Sequence, residues 1–369
     1  MKKMIFTAAM MLASAAAMAQ SGTFQIKGNV EGLPDSLVAM IGRKTENIEV
    51  KKKKFVYSKN FDKPQWVYLC DQKVIKSGAF SVIPVFAIPS ETIEMKGNFT
   101  GGVDIKGSKF YQEQDLMDEY KSQAYKDIKA LWRWYSDNVN DSNRDSIKKV
   151  LDERMEPLQK KYAADLLAYA KQHSDQECIA LLIDDLDDVK DKETLISLMA
   201  DNVKNGRMKA YYEPIFERAK KQAEMEEKAK VVQASGVEAP DFTLNDINGK
   251  PFSLSSLRGK YVVIDFWGSW CIWCIKGMPK MKEYYEKYKG KFEILGVDCN
   301  DTEAKWKAAV EKHQLPWIHV YNPKGSDVLD KYAVQGFPTK IVIGPDGKIV
   351  KTIVGEDPAF YTLLDEVLK

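Results

Sequence analysis

Two cysteines three residues apart, Cys271 and Cys274, constrain this sequence more than any other feature. They follow an apolar run of strand length, 261–266, which is rich in β-branched residues, and a turn at Gly268-Ser269. The segment after them has helical composition. This order predicts that the first sulfur lies at a helix N-terminus, where unpaired N–H groups and the helix dipole stabilise a thiolate.

The chemistry that this arrangement favours is dithiol–disulfide exchange. Thiols in Cys-x-x-Cys sites have pKa values of roughly 3.5 to 7, against about 8.5 for a free cysteine. The second sulfur is also near enough to attack a mixed disulfide formed by the first. A zinc site is less favoured, because zinc needs about four ligands and the remaining candidates are only Cys299, His313 and His319. A purely structural disulfide is also less favoured, since such tight loops make strained, reducible bridges.

The stretch resembles the thioredoxin active site in its residues Asp265-Phe266-Trp267, Trp270-Cys271-Ile272-Trp273-Cys274 and Pro279. It is most similar to the TlpA/ResA-like branch of secreted thiol-disulfide oxidoreductases. A second match lies downstream at Gly336-Phe337-Pro338-Thr339, where that family has its cis-proline loop. The resemblance spans about 237–369. It implies a thioredoxin-like α/β domain in the last third of the chain.

Position and resemblance together assign expected roles. Cys271, at the helix start, is the expected nucleophile, and Cys274, one turn further on, is the expected resolving thiol. The resemblance implies that Asp265 is the buried carboxylate that takes the proton of the resolving thiol through water; the alternative is an acid that only caps a nearby group. A buried, unpaired carboxylate has a raised pKa, near what a general base needs at neutral pH.

Substrate binding is predicted for four residues around the cysteines. Trp270 is expected to cover the exposed side of the pair, or else to be a rim aromatic without a chemical role. Pro338, if cis, places a free backbone edge beside the sulfurs, with which an extended substrate chain can pair. Trp273 and Phe337 are larger than the usual family residues and are expected to shape specificity.

The dipeptide between the cysteines, Ile272-Trp273, departs from the family, which usually has proline at the second position. It also contains no histidine, the feature associated with strongly oxidising relatives. Without an imidazolium beside it the Cys271 thiolate is less stabilised. We therefore expect a less oxidising disulfide.

The first residues predict export. A basic start at Lys2-Lys3, an apolar run over 4–18 and the cleavage site Ala17-Met18-Ala19 are typical of a secretory signal peptide, 1–19. The run is short for a membrane span, and no later stretch is long and apolar enough to be one. With 55 Lys and Arg against 53 Asp and Glu, the charge balance does not argue for nucleic acid or an anionic membrane surface. The sequence predicts a mature periplasmic protein without a membrane span.

Three regions follow the signal peptide, giving a multidomain α+β chain. Short alternating runs in 20–108 predict an all-β, sandwich-like domain of about seven strands, which loosely resembles an all-β domain of unknown function that precedes such thioredoxin domains. Region 109–232 is predicted to be helical, with Pro157 kinking or dividing its second helix. Ser174 and Glu177 form a capping-box pattern that predicts the start of a third. Region 233–369 is the thioredoxin-like domain that the resemblance implies.

The predicted function is that of an exported thiol-disulfide oxidoreductase, working as reductase or isomerase without cofactor or metal. Its partners would be disulfide-containing exported proteins and, by resemblance, a membrane thiol relay as electron donor. Alternatives are an oxidase of the same fold, a peroxiredoxin-like peroxidase and a non-enzymatic binding or scaffold protein. The peroxidase would need a Pro-x-x-x-Thr-x-x-Cys loop, which 267–274 lacks. The other thiols, Cys70, Cys178 and Cys299, are expected to be idle, with Cys299 a less favoured third redox thiol.

Overall fold

The computed structural model describes residues 21–73, 82–120, 122–140 and 142–369. The predicted signal peptide, 1–19, lies outside these residues. The chain divides between Ala219 and Lys220 into two compact units. Its composition from β sheets, a helical middle and an α/β end confirms the predicted fold class. The finer domain boundaries, at 108 and 232, stay predictions.

Two sheets of four strands open the first unit. The strands are β1 (Gly22–Glu31), β2 (Leu37–Ile41), β3 (Lys44–Asn47), β4 (Lys54–Phe61), β5 (Gln65–Asp71), β6 (Val82–Ala87), β7 (Thr92–Asn98) and β8 (Gly102–Lys106). Their orders are β4-β1-β7-β8 and β3-β2-β5-β6. In β1 alternate residues, among them Phe24, Ile26 and Val30, are buried, because successive side chains of a strand face opposite sides. The described residues thus hold eight strands where the sequence predicted about seven.

Helices complete the first unit. They are α1 (Lys109–Glu119), α2 (Gln123–Asn138), α3 (Arg144–Gln172), α4 (Val189–Leu198), α5 (Asp201–Lys204) and α6 (Lys209–Val232), with a 3-10 helix at Glu177–Asp184 between α3 and α4. Most of α6 runs into the second unit.

Two local predictions for the helices are changed by the structure. Pro157 does not divide its segment, because α3 runs through it, and a kink at this position stays a prediction. Buried residues on both sides, Met155 and Leu166, pack into two separate apolar clusters, and such packing stabilises a helix against local preference. Glu177 begins a 3-10 helix and makes no capping bond there. Its carboxylate instead accepts hydrogen bonds from the Arg207 guanidinium at 2.7–3.1 Å.

The second unit is one seven-stranded mixed sheet with helices. Its strands are β9 (Thr243–Asp246), β10 (Pro251–Ser253), β11 (Tyr261–Trp267), β12 (Phe292–Asp298), β13 (Ile318–Tyr321), β14 (Thr339–Ile343) and β15 (Ile349–Val354). Its further helices are α7 (Ile272–Lys287), α8 (Glu303–His313), α9 (Val328–Lys331) and α10 (Ala359–Val367). The strand order is β10-β9-β13-β12-β11-β14-β15.

Strand β11 lies inside this sheet and carries the cysteines at its carboxyl end. It pairs in parallel with β12 and antiparallel with β14, so its residues from Val262 onward are buried. One face of the sheet packs against α7, α8 and α10, in a core that includes Trp267, Trp306 and Phe360. The carboxyl ends of parallel strands are where α/β sites lie. Within the described residues, no helix has the length and apolar character needed to cross a membrane.

Candidate active site

The two cysteines form a disulfide where α7 begins. Their sulfurs are 2.05 Å apart and their Cα atoms 5.3 Å apart. Cys271 is the N-cap residue of α7, and its Sγ accepts a hydrogen bond of 3.1 Å from the backbone N–H of Cys274. A thiolate at this position would keep that N–H and the helix dipole as stabilising partners. Both cysteines are buried to nearly the same extent.

Hydrogen bonds hold the loop before the cysteines. The Ser269 N–H and hydroxyl donate to the carboxylate of Asp301 at 2.6 and 2.8 Å. The Trp270 indole Nε1 donates to the carbonyl of Cys299 at 3.0 Å. These bonds tie the loop to the segment that follows β12, so the first sulfur has a fixed place at the end of β11.

Apolar side chains surround the disulfide at the surface, and we call Trp270, Ile272, Trp273 and Phe337 the apolar rim. Trp270, Ile272 and Trp273 are 50%, 67% and 62% exposed. The Phe337 ring is partly buried and lies edge-on to Trp270 at 5.3 Å between centroids. Clustered exposed apolar residues mark interaction sites, whereas scattered ones do not.

The predicted cis-proline loop lies at the same edge of the sheet. The Phe337–Pro338 peptide bond is cis, and β14 starts directly after it with Thr339 opposite Phe266. The Pro338 carbonyl accepts a hydrogen bond of 2.7 Å from the N–H of Gly355. The structure therefore places Phe337 of the second motif against Trp270 of the first. Substrate binding by Trp270, Trp273, Phe337 and Pro338 stays a prediction.

Asp265 lies on β11, two residues before the carboxyl end of this strand. It is buried, and its Oδ1 has no hydrogen-bond partner among the described residues. Burial raises the pKa of this carboxyl to about 6, against an opposing contribution from the nearby Lys340 ammonium and a reinforcing one from Glu356. An acid with a pKa near 6 exchanges its proton readily around neutral pH, which is what proton transfer to or from a thiol requires.

The other thiols and histidines have different surroundings. Cys70, Cys178 and Cys299 are buried and free, and burial raises the pKa of the Cys299 thiol, which keeps it neutral. His319 is buried between the rings of Trp267 and Trp317, and burial lowers its pKa to about 3. The described residues contain no group of three or more His, Cys, Asp and Glu side chains that could hold a metal ion.

Sequence reasoning missed three residues of this site. Ile272 was noted only as a departure from the family, yet it is the most exposed residue of the apolar rim. Lys340 is buried on β14, and Glu356, in the loop after β15, binds it. The sequence did contain a usable signal for Lys340, because it is a lysine within the apolar run 339–343. Nothing local marked Glu356, because its role depends on a contact between distant segments.

Comparison with known proteins agrees with the geometry. The AhpC/TSA family profile matches residues 235–352. Thiol-disulfide oxidoreductase ResA of Bacillus cereus (strain ZK / E33L) is 43% identical over 122 residues, covering 33% of this chain and 70% of the relative. The ResA of Bacillus subtilis (strain 168) is 36% identical over 123 residues, covering 33% and 68%. The solved thioredoxin domain of a thiol-disulfide oxidoreductase from Bacteroides vulgatus is 36% identical, covering 37% of this chain and 99% of that one, with a TM-score of 0.35.

The fold and the disulfide define the C-terminal unit as a thioredoxin-like domain. The chain belongs to the ResA family of thiol-disulfide oxidoreductases. It is accordingly an enzyme of thiol-disulfide exchange, and its similarity to these relatives covers about a third of its length.

Replacing Asp265 by Asn should change how stability depends on pH. A folded-state pKa raised to about 6 from the ordinary 3.8 gives a stabilising contribution that is complete below pH 3.8 and is lost as pH rises through 6. We expect the free energy of unfolding of the natural protein to fall by about 3 kcal/mol relative to Asp265→Asn between pH 3.5 and 8.

Urea unfolding of the oxidised proteins at several pH values measures this difference. Glu311→Gln, on the exposed side of α8, is the control and should show no such trend. A gap between the natural protein and Asp265→Asn that stays constant with pH would show that this carboxyl does not titrate near 6.

Proposed function

We propose that this enzyme is exported and reduces or isomerises disulfides of exported proteins. The observation that carries the proposal is the Cys271–Cys274 disulfide at the N-terminus of α7, with Sγ of Cys271 bonded to a helix N–H and exposed apolar residues around it. The stabilised thiolate would be the nucleophile of the reaction, and the apolar rim would bind the polypeptide substrate.

The reduction proceeds in two exchanges. The Cys271 thiolate attacks one sulfur of the substrate disulfide; that bond breaks, a mixed disulfide forms and the other substrate sulfur leaves as a thiolate. Cys274 then gives its proton to Asp265 through water and attacks Sγ of Cys271. This restores the Cys271–Cys274 bond and releases the second substrate sulfur. The substrate gains two electrons and the enzyme loses two, so a dithiol donor must reduce the enzyme again.

The proposed substrate surface combines the apolar rim with the cis-proline loop. Trp270 and Trp273 present large apolar faces at low conformational cost, and the Lys276 ammonium lies over the Trp273 ring at 4.5 Å. An extended chain that pairs with the backbone before Pro338 would lie alongside Phe337. Such contacts favour partly unfolded proteins, whose apolar segments and disulfides are accessible.

Periplasmic location and a membrane thiol relay as donor complete the proposal. The predicted signal peptide, 1–19, supports export, and the resemblance to the TlpA/ResA-like branch supports the donor. An oxidase is less favoured, because the Ile272-Trp273 dipeptide places no imidazolium beside the Cys271 sulfur.

Substituting the resolving cysteine should trap the first intermediate. With Cys274→Ser the mixed disulfide on Cys271 has no internal thiol to resolve it. When the variant is mixed with a protein that was reduced, denatured and then partly reoxidised, a covalent complex should accumulate and appear on a non-reducing gel. Cys271→Ser should form no complex and lose turnover. Cys299→Ser, which removes a buried thiol, should leave turnover close to that of the natural protein. Equal trapping by both active-site variants would contradict the assignment of Cys271 as nucleophile.

The reduction potential of the pair decides the direction of electron flow. We expect a value near that of thioredoxin, about −270 mV, because no imidazolium stabilises the thiolate. Titration of the mature protein with dithiothreitol, followed by the ratio of dithiol to disulfide, gives the potential. A value near about −120 mV would make the enzyme an oxidant.

Export makes a prediction about the mature N-terminus. Expressed in a bacterium with an outer membrane, the full chain should appear in the periplasmic fraction, starting at Gln20 after cleavage behind Ala19. Ala17→Lys and Ala19→Lys should block cleavage, because the site needs small residues, whereas Lys27→Ala should not. Intact mass spectrometry distinguishes the two forms, and an uncleaved natural chain in the cytoplasm would refute export.

A further inference from the structure

A buried lysine faces the same layer as the buried acid. Lys340 lies directly opposite Asp265 in the antiparallel pairing of β14 with β11, so the two side chains project from the same face of the sheet. That face packs against α7 and α10, and the Lys340 ammonium lies 5.4 Å from the centre of the Phe360 ring. Lys340 is 1% exposed, and a lysine this deeply buried needs a charged or polar partner.

Its partner is Glu356. The Lys340 Nζ donates to Glu356 Oε2 at 2.8 Å, and the Tyr361 hydroxyl donates to Glu356 Oε1 at 2.8 Å. The side chain of Glu356 is 19% exposed, so this acid lies between the buried layer and the surface. Each of its oxygens therefore has a donor, and its position is fixed from β14 and from α10.

Glycine on α7 makes room for this carboxylate. A Cβ at Gly277 would lie 2.3 Å from Glu356 Oε2 and 2.5 Å from its Cδ, distances that atoms do not share. Gly277 follows Cys274 by three residues, one turn along the same helix. Glu356 thus reaches the back of the helix that carries the reactive sulfurs, and it does so only because residue 277 has no side chain.

We propose that Lys340 and Glu356 act as a positioning pair that sets the pH at which Asp265 takes up and gives back its proton. Glu356 binds the Lys340 ammonium and so competes with Asp265 for this positive charge. Among the described residues Asp265 therefore has no direct ion pair, as a proton carrier requires. The inference rests on the proposed role of Asp265 in proton transfer from Cys274.

Other titratable groups near Asp265, among the described residues, are held mostly uncharged at physiological pH. Asp298, on β12 opposite Trp267, is buried, and its pKa is raised to about 8, first by burial and then by Asp301. Burial raises the pKa of the Cys299 thiol, which follows β12, and of the Tyr361 hydroxyl on α10. The α7 cysteines do not titrate while they are joined. Among the described residues, the charged side chains of Lys340 and Glu356 act on the pKa of Asp265, and they act in opposite directions. Removing either one alone must therefore move the proton equilibrium of Asp265 in a predictable direction.

The test compares Lys340→Met, Glu356→Gln and the double variant by ¹³C NMR of the Asp265 carboxyl in the oxidised protein, with Asp265→Asn to assign the signal. Losing the positive charge should raise the pKa of Asp265, and losing the negative charge should lower it, each on the order of one pH unit. The pKa of Asp265 in the double variant should lie between the values in the two single variants. The pH profile of kcat/KM should move in the same directions, because the reaction depends on the form of Asp265.

Gly277→Ala provides a second way to displace Glu356 without changing any charge. It should shift the pKa of Asp265 in the same direction as Glu356→Gln does. Glu283→Gln, exposed on the same helix, is the matched control and should shift nothing. The inference would be overturned if Lys340→Met and Glu356→Gln moved the pKa of Asp265 in the same direction, or if neither variant moved it. If Lys340→Met does not fold, the Glu356→Gln and Gly277→Ala titrations decide the question.

Failure of the proposed function has a different signature. Turnover and pH profile would then be the same in Asp265→Asn as in the natural protein, while the Asp265 carboxyl signal would still shift in the pair variants.

Discussion

The active site depends on one contact, the hydrogen bond from the Cys274 N–H to Sγ of Cys271 at the start of α7. A helix N-terminus has unsatisfied N–H groups that need acceptors, and here a sulfur takes the place of the usual oxygen cap. Cys271 therefore ends the loop after β11, and it is also the residue whose thiolate the helix stabilises. The strand fixes where this helix begins, and the helix fixes the distance between the sulfurs. Fold and reactivity share one residue.

Burial of charge behind that helix is the second constraint. Asp265 and Lys340 occupy paired positions in the middle of a sheet, where isolated ions are strongly disfavoured. Lys340 is compensated by Glu356, and Glu356 by Tyr361. Asp265 Oδ1, in contrast, has no hydrogen-bond partner among the described residues. A network built for stability alone would have paired the acid as well. The acid without a partner is the one on β11, the strand that leads to the cysteines, and groups that must change their protonation state are often perturbed in this way.

Local signals predicted the part of the second unit around the cysteines well. The strand-length run 261–266 corresponds to β11, and the helix predicted after it is α7. Turn residues are equally local signals: Gly249, in the turn between β9 and β10, has a positive φ of 79°, which glycine adopts readily. In the first unit the helix runs through Pro157 instead of dividing there. The capping pattern at Glu177 failed because this carboxylate binds a distant arginine, Arg207. The place of Glu356 could not be read from sequence, since it depends on a glycine 79 positions earlier in the chain leaving space for it.

The composition of the apolar rim bears on how such an enzyme selects its substrates. Trp270, Ile272 and Trp273 are exposed within four consecutive residues, and apolar contacts of this kind have no fixed direction. If the rim binds polypeptides as proposed, it would hold many different apolar segments about equally well and discriminate poorly between their sequences. The covalent step is far more selective, because it requires a disulfide that reaches a sulfur that is itself buried. This surface therefore favours substrates according to how accessible their disulfides are. The apolar rim would only prolong the encounter.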